Sequence, residues 1–208
     1  SSAEVFGPEV SGTVDESTPL APASPYAESK ARLIEHAAAA RASDLFASAA
    51  VLFNHESTIR SRQFVTRNIS RAVAAIAEGS SEPLVLGNLD VARDWGAAAD
   101  TIDALVRMAR INEPGDFLVA TGRLRTIREL VETAFAAAGI EDPWVHVEQD
   151  PALMRADDTP GRIADITLAR TSLGWAPATS FERLVGDMVA ADVERLRSGV
   201  EEHISYLA

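Results

Sequence analysis

A chain of 208 residues, 47% hydrophobic with a mean hydropathy of +0.01, carries enough apolar side chains to bury a sizeable core in one large domain or two small ones. Its formal net charge of −12 argues against nonspecific binding to nucleic acid or an anionic membrane surface, though a few local arginines can still hold an anionic small ligand. The absence of cysteine rules out disulfides and thiolate metal sites and fits a reducing interior, and no apolar run approaches the ~20 residues that cross a bilayer.

In chain order, the opening SSAEVFG spaces Ser2 and Glu4 two apart; in an extended strand alternate residues share a face, so both can enter one pocket. Residues 7–24, rich in Pro, Gly, Ser and acids, read as an ordered surface loop. A helix is expected from Pro25 to about Ala42, with Ser24 as its N-cap and Pro25 at the first helical position. The apolar run 45–53 predicts a short strand entering the polar cluster NHES, followed by a helix over 62–78 ended by Gly79. Then come a strand at 84–87, a turn, and a helix from about Ala97 to Ile111. Residues 116–120 predict a strand, 126–139 a helix closed by Gly139, and 144–148 another strand. Helices over 167–173 and 180–198 end the chain before a polar tail. Strands alternating with helices imply α/β architecture with parallel pairing, and there is no internal repeat.

Tyr26 and Lys30 are four residues apart, and so share one helix face. A free phenol ionises near pH 10 and is a poor base at neutrality, whereas a fixed cation nearby favours phenolate. The pair is therefore one way to make a proton acceptor for a sugar hydroxyl; its bland reading is a snorkelled surface pair. Upstream, Ser2 offers a hydroxyl to the same substrate oxygen and Glu4 adds a carboxylate, although each alone reads as a terminal polar residue. Asn54 directly follows a strand, where an amide can reach a bound sugar nucleotide, and His55 alone reads as a packed or capped histidine. Arg93 presents a fork suited to a diphosphate, while Asp94 and Trp95 read as residues that orient its loop.

The segments SSAEVFG, PASPYAESK, LFNHES, FVTRN, LVLGNLDVARDWG, ATG and LGW together resemble the extended short-chain dehydrogenase/reductase superfamily and, within it, the GDP-mannose 4,6-dehydratases. The resemblance runs from Ser1 to about Arg197, with LFNHES and LGNLD…RDWG its most specific pieces. It implies part of a Rossmann-like parallel sheet plus a smaller α/β substrate-binding domain. Residues 1–80 would form the C-terminal part of the Rossmann-like domain, with the catalytic Ser, Glu, Tyr and Lys. Residues 81–208 would be mainly sugar-nucleotide-binding, with the chain free to cross between the two. In the family a glycine-rich turn upstream holds the pyrophosphate of NADP at a helix N-terminus. No such motif stands in this sequence, so the chain is expected to be a C-terminal portion that is inactive by itself.

By the same resemblance, Tyr26 accepts the C4 hydroxyl proton of GDP-mannose while hydride passes to NADP, Lys30 supports the tyrosine and contacts the nicotinamide ribose, and Ser2 hydrogen-bonds the C4 oxygen. Glu4 takes the C5 proton and helps water leave from C6, and hydride returning to C6 gives a 4-keto-6-deoxy sugar. An ordinary reductase or epimerase needs no such carboxylate. Tyr26, Lys30, His55 and Arg60 fall on NADP-contacting positions; Asn54, Asn88, Arg93, Arg155 and Asp158 fall on substrate-binding ones. The chain departs from the family's N-H-E-S-P-R-R-G at Thr58, Ile59 and Ser61, has Asn68 where lysine is common, and has Arg155-Ala156-Asp157-Asp158 in place of R-P-A-E. A homodimer or homotetramer, located in the cytoplasm, is implied, with a sugar nucleotide as ligand and with no metal, nucleic-acid or membrane partner. Two other readings stay open: another sugar-nucleotide epimerase or reductase, or a noncatalytic remnant that binds a sugar nucleotide or a partner subunit.

Overall fold

The computed structural model describes residues 1–154 and 161–199. In chain order its elements are β1 (Gly12–Val14), α1 (Pro25–Arg41), β2 (Ala49–Leu52), β3 (Asn54–Glu56), α2 (Val65–Ala77), β4 (Leu84–Leu86), β5 (Ala92–Arg93), β6 (Trp95–Ala97), α3 (Ala98–Met108), β7 (Asp116–Val119), β8 (Arg125–Thr126), α4 (Ile127–Ala137), β9 (Val147–Gln149), β10 (Arg162–Ala164), α5 (Thr167–Leu173) and α6 (Phe181–Ser198). Single turns of 3-10 helix lie at Ala3–Phe6, Pro143–His146 and Pro151–Leu153. The chain forms two compact units, and passes back and forth between them: residues 1–55, 91–125 and 157–179 make the first, and 56–90, 126–156 and 180–208 the second.

In the first unit β2 is the central strand. It pairs in parallel with β7, in register from Ala49 with Asp116 to Leu52 with Val119, and on its opposite edge the Leu52 N–H donates to the Ser1 carbonyl. Alternate residues of β2 bond to opposite neighbours, as a strand flanked on both sides must. Its residues are apolar and mostly buried because both faces are covered. Val5, Phe6, Val51, Phe117, Leu118, Ile166 and Trp175 belong to one contiguous core. Arg41 at the end of α1 makes a two-pronged pair with Asp116 at the start of β7, at 2.8 and 2.7 Å. The N–H of Leu118 bonds to Glu16 Oε1 at 2.8 Å, so a side chain from the long loop covers part of the outer edge of β7.

In the second unit α2, α4 and α6 pack together beside the parallel pair β4–β9. The apolar stripe of α2 buries Ile69, Val73, Ala74 and Ile76, and α6 contributes Leu184, Val185, Met188 and Val189. Thr126 and Glu129 form a reciprocal cap at the start of α4: the Thr126 hydroxyl receives the Glu129 N–H at 3.1 Å, and Glu129 Oε2 receives the Thr126 N–H at 2.7 Å.

Three expectations change. The opening is extended only at Ser2, which makes a parallel bridge to Leu52, and Ala3–Phe6 then winds into a 3-10 turn. Ser2 and Glu4 therefore do not share a strand face. The loop 7–24 contains a strand, β1, paired in parallel with β10. Residues 144–148 are not all strand: Asp142 caps a 3-10 turn by accepting the Trp144 N–H at 3.1 Å, Pro143 occupies its first position, and pairing starts only at Val147.

Candidate functional site

In the first unit the sequence-predicted groups lie on the 3-10 turn, on the first turns of α1 and at the ends of short strands. Ser2 caps the 3-10 turn, its Oγ accepting the Glu4 N–H at 3.3 Å, and the Glu4 side chain is exposed. Gly7 ends the turn at φ 76°, and a Cβ there would lie 2.1 Å from the Ala21 carbonyl oxygen. The Ala21 N–H in turn donates to the Val5 carbonyl at 2.9 Å, so the loop is laced to the turn that carries Glu4.

The turn packs against α1. That helix starts where Ser24 Oγ accepts the Ala27 N–H at 3.1 Å, with Pro25 in the first helical position. One turn later Lys30 Nζ lies 5.3 Å from the Tyr26 ring centroid, an arrangement in which the ammonium faces the ring. Tyr26 is 56% exposed, so its phenol is open to a ligand. Ser1 Oγ donates to the Lys30 carbonyl at 2.9 Å and ties the chain immediately before Ser2 to the helix carrying the Tyr–Lys pair. Ser2, Glu4, Tyr26 and Lys30 are thus held on two elements in contact.

Asn54 is exposed at the start of β3, which pairs with β6. His55 Nδ1 lies 2.9 Å from the Phe53 carbonyl oxygen. A carbonyl only accepts, so Nδ1 carries the proton and Nε2 is left for another partner. Arg93 on β5 donates from Nη1 to the neighbouring Ala92 carbonyl at 2.8 Å. Asp94 is almost fully buried and accepts four hydrogen bonds, from the Thr121 N–H at 2.9 Å, Thr121 Oγ1 at 2.7 Å, the Gly122 N–H at 2.8 Å and the Arg123 N–H at 3.2 Å. Burial pushes its carboxyl above the usual range and these bonds oppose that. Its task is to shape the loop after β7.

Sequence reasoning missed Arg162. It lies on β10, only 8% exposed, donates from Nη2 to the Gly7 carbonyl and from Nε to the Val10 carbonyl at 3.2 Å. Burial pulls its guanidinium below the ordinary value, the charge of Glu4 opposes this, and that of Arg93 adds to it. Glu4, Arg93 and Arg162 therefore share one electrostatic neighbourhood. The available signal was the alternation Arg162–Ile163–Ala164, which puts arginine on the same strand face as a core alanine.

The second unit contains Arg60 and Asn88. The Arg60 guanidinium lies 3.5 Å above the Phe64 ring, and its Nε is 3.1 Å from Glu56 Oε2 but is not aligned for a hydrogen bond, leaving this buried N–H unsatisfied. Glu56 is buried and accepts Thr66 Oγ1 at 2.7 Å. Asn88 is partly buried and its Oδ1 receives the Asp90 N–H at 3.0 Å. Arg155 and Asp158 lie outside the described residues. Among the described residues no helix is long and apolar enough to cross a membrane.

Parallel strands flanked by helices, with a Tyr-x-x-x-Lys helix beside a Ser/Glu turn, define the class: the Rossmann-like fold of the short-chain dehydrogenase/reductase type, as in epimerases and dehydratases of sugar nucleotides. The putative epimerase of Burkholderia cenocepacia J2315 superposes with a TM-score of 0.82 at 27% identity, over 93% of this chain and 62% of that one. The RMD protein of Pseudomonas aeruginosa, solved with NADPH, superposes at 0.79 and 22% identity, over 94% of this chain and 65% of its own. Residues 1–188 match the GDP-mannose 4,6 dehydratase family, and the chain belongs to it. The human GDP-mannose 4,6 dehydratase is 39% identical over 95% of this chain, which spans 58% of the human protein's length.

Proposed function

We propose that the protein carrying this chain dehydrates GDP-mannose to GDP-4-keto-6-deoxy-mannose with NADP as a recycled cofactor. The observation that carries the reading is the packing of the turn bearing Ser2 and Glu4 against the helix bearing Tyr26 and Lys30, joined by the Ser1–Lys30 hydrogen bond. A base for a hydroxyl and a separate, solvent-facing carboxylate are the two proton acceptors that oxidation followed by elimination requires.

In this reading Tyr26 removes the C4 hydroxyl proton, Ser2 holds the C4 oxygen, and Lys30 supplies a cation beside the phenol. The cofactor, when bound, supplies a hydride acceptor that later returns the hydride to C6. Oxidation at C4 acidifies the C5 hydrogen; Glu4 takes that proton and passes one to the departing C6 hydroxyl, so that water leaves. When hydride is returned to C6 a proton goes back to C5, balanced by the one Tyr26 took from the C4 hydroxyl. Arg93 binds the diphosphate, with Asn54, Asn88, Arg155 and Asp158 as further substrate contacts. His55 and Arg60 contact the cofactor. The family's GDP-mannose 4,6-dehydratases and the NADPH in the Pseudomonas aeruginosa neighbour support the substrate and cofactor. A homodimer or homotetramer and a cytoplasmic location complete the proposal.

The full-length protein incubated with GDP-mannose and catalytic NADP should yield a 6-deoxy-4-keto sugar nucleotide by NMR, with no net NADPH. A C4 epimer would overturn this in favour of an epimerase, the name carried by the Burkholderia cenocepacia neighbour, and product formed only with stoichiometric NADPH would overturn it in favour of a reductase.

A further inference from the structure

Arg162 is a buried cation that the proposed reaction leaves unused. Its strand, β10, pairs with β1 so that Arg162 stands opposite Gly12, and its side chain reaches back along the segment that leads into β1. Nη2 donates to the Gly7 carbonyl and Nε to the Val10 carbonyl at 3.2 Å. The guanidinium fork therefore grips both ends of residues 7–10.

Gly7 connects that grip to Glu4. The Gly7 N–H donates to the Glu4 carbonyl at 3.2 Å, while the Glu4 N–H donates to Ser2 Oγ at 3.3 Å. The backbone on both sides of Glu4 is thus bonded, and Arg162 fixes the far side of Gly7. These bonds act on the chain after Glu4. By contrast α1, with Tyr26 and Lys30, is tied to Ser1, ahead of it.

Packing alone does not account for an arginine here. A guanidinium only 8% exposed is costly to bury, and the two carbonyls that receive it are neutral. An apolar side chain would fill the same space at lower cost. Desolvation disfavours the charged form and Arg93 adds to this, whereas the charge of Glu4 favours it. Arg162 and Glu4 are therefore coupled twice, through the Gly7 backbone and through their opposite charges.

We infer that Arg162 is a positioning residue for the elimination step: by gripping the Gly7 and Val10 carbonyls it keeps the turn bearing Glu4 where that carboxylate reaches the C5 hydrogen. Arg162 takes no proton itself and acts through Glu4. This role rests on the proposed dehydration.

Transient kinetics on the full-length enzyme with GDP-mannose test it. Arg162→Lys keeps a cation but has no fork to span both carbonyls, and Arg162→Gln removes the charge as well. In each variant, enzyme-bound NADPH should form at the unaltered rate and then build up. The 6-deoxy product should form about 10- to 100-fold more slowly, the size expected when a reacting group is displaced by about 1 Å. Arg162→Lys, with its buried cation retained, carries the test if Arg162→Gln does not fold. In a Glu4→Gln background Arg162→Lys should cause no further slowing, since a residue that acts only through Glu4 has nothing left to place. A purely structural role would instead add its own loss. Normal product formation in folded Arg162→Lys, hydride transfer slowed as much as product formation, or an added loss on Glu4→Gln would overturn the inference and leave the dehydratase reading standing. An unaltered enzyme that yields no 6-deoxy-4-keto product would overturn that reading, and this inference with it.

Discussion

At the scale of single residues, buried polar groups decide most of the local geometry. Asp94 gathers three backbone N–H groups and a hydroxyl from the loop after β7. Removing the acceptor strands those donors in a buried place, where each unsatisfied group costs about 1–3 kcal/mol. Asp94→Ala is therefore expected to destabilise the fold by roughly 2–4 kcal/mol, read as a lower urea midpoint with an unchanged slope. An unaltered midpoint would show that this loop is held by other contacts. Arg162 has a comparable role from another strand, since its two carbonyl partners, Gly7 and Val10, lie just beyond the turn that carries Glu4.

At the scale of elements, the 3-10 turn Ala3–Phe6 is set by its ends: Ser2 caps it and Gly7 closes it with a positive φ. A side chain at Gly7 would be strained in that conformation and would meet the Ala21 carbonyl at 2.1 Å. Gly7→Ala should thus lower both the melting temperature and kcat of the full-length enzyme, because it moves the element bearing Glu4. A stable variant with normal kcat would separate the turn from catalysis.

Long elements with their own punctuation were legible in the sequence. Ser24–Pro25 marked the start of α1, and α6, capped by Ser180, fell on Phe181–Ser198 against the expected 180–198. The misses have a common physical cause. β1, β3, β5, β6, β8 and β10 have two or three residues each, too few to display an alternation, and they form only because a distant segment completes the pairing. The 3-10 turn at Pro143–His146 was hidden in an apolar run, since Trp144, Val145 and Val147 suit a strand equally well; the cap from Asp142 decides it. In the candidate site, the Tyr26–Lys30 pair was legible because helix spacing brings i and i+4 together. The neighbourhood of Glu4, Arg93 and Arg162 was not, because it joins three segments remote in sequence.

At the scale of the whole molecule, the chain belongs to a dehydratase family but spans 58% of its human relative, and no glycine-rich pyrophosphate turn occurs within it. Helix N-terminal N–H groups following such a turn supply the main grip on a dinucleotide's pyrophosphate. The 208-residue chain alone should therefore show no NADP binding in the micromolar range by calorimetry, whereas the full-length protein should. Micromolar binding by the chain alone would mean that the residues here hold the cofactor by themselves.

The central claim is that Tyr26 and Glu4 serve two successive proton transfers, and transient kinetics on the full-length enzyme test it most directly. Glu4→Gln preserves shape but removes the acceptor, so formation of the 6-deoxy product should fall by about 10²–10⁴-fold, the usual contribution of general acid–base catalysis. Tyr26 and Lys30 remain, so mixing Glu4→Gln enzyme with GDP-mannose should still generate enzyme-bound NADPH, seen as an absorbance that builds up. Tyr26→Phe should give neither product nor that absorbance. Full dehydratase activity in Glu4→Gln, or its failure before hydride transfer as in Tyr26→Phe, would contradict the account.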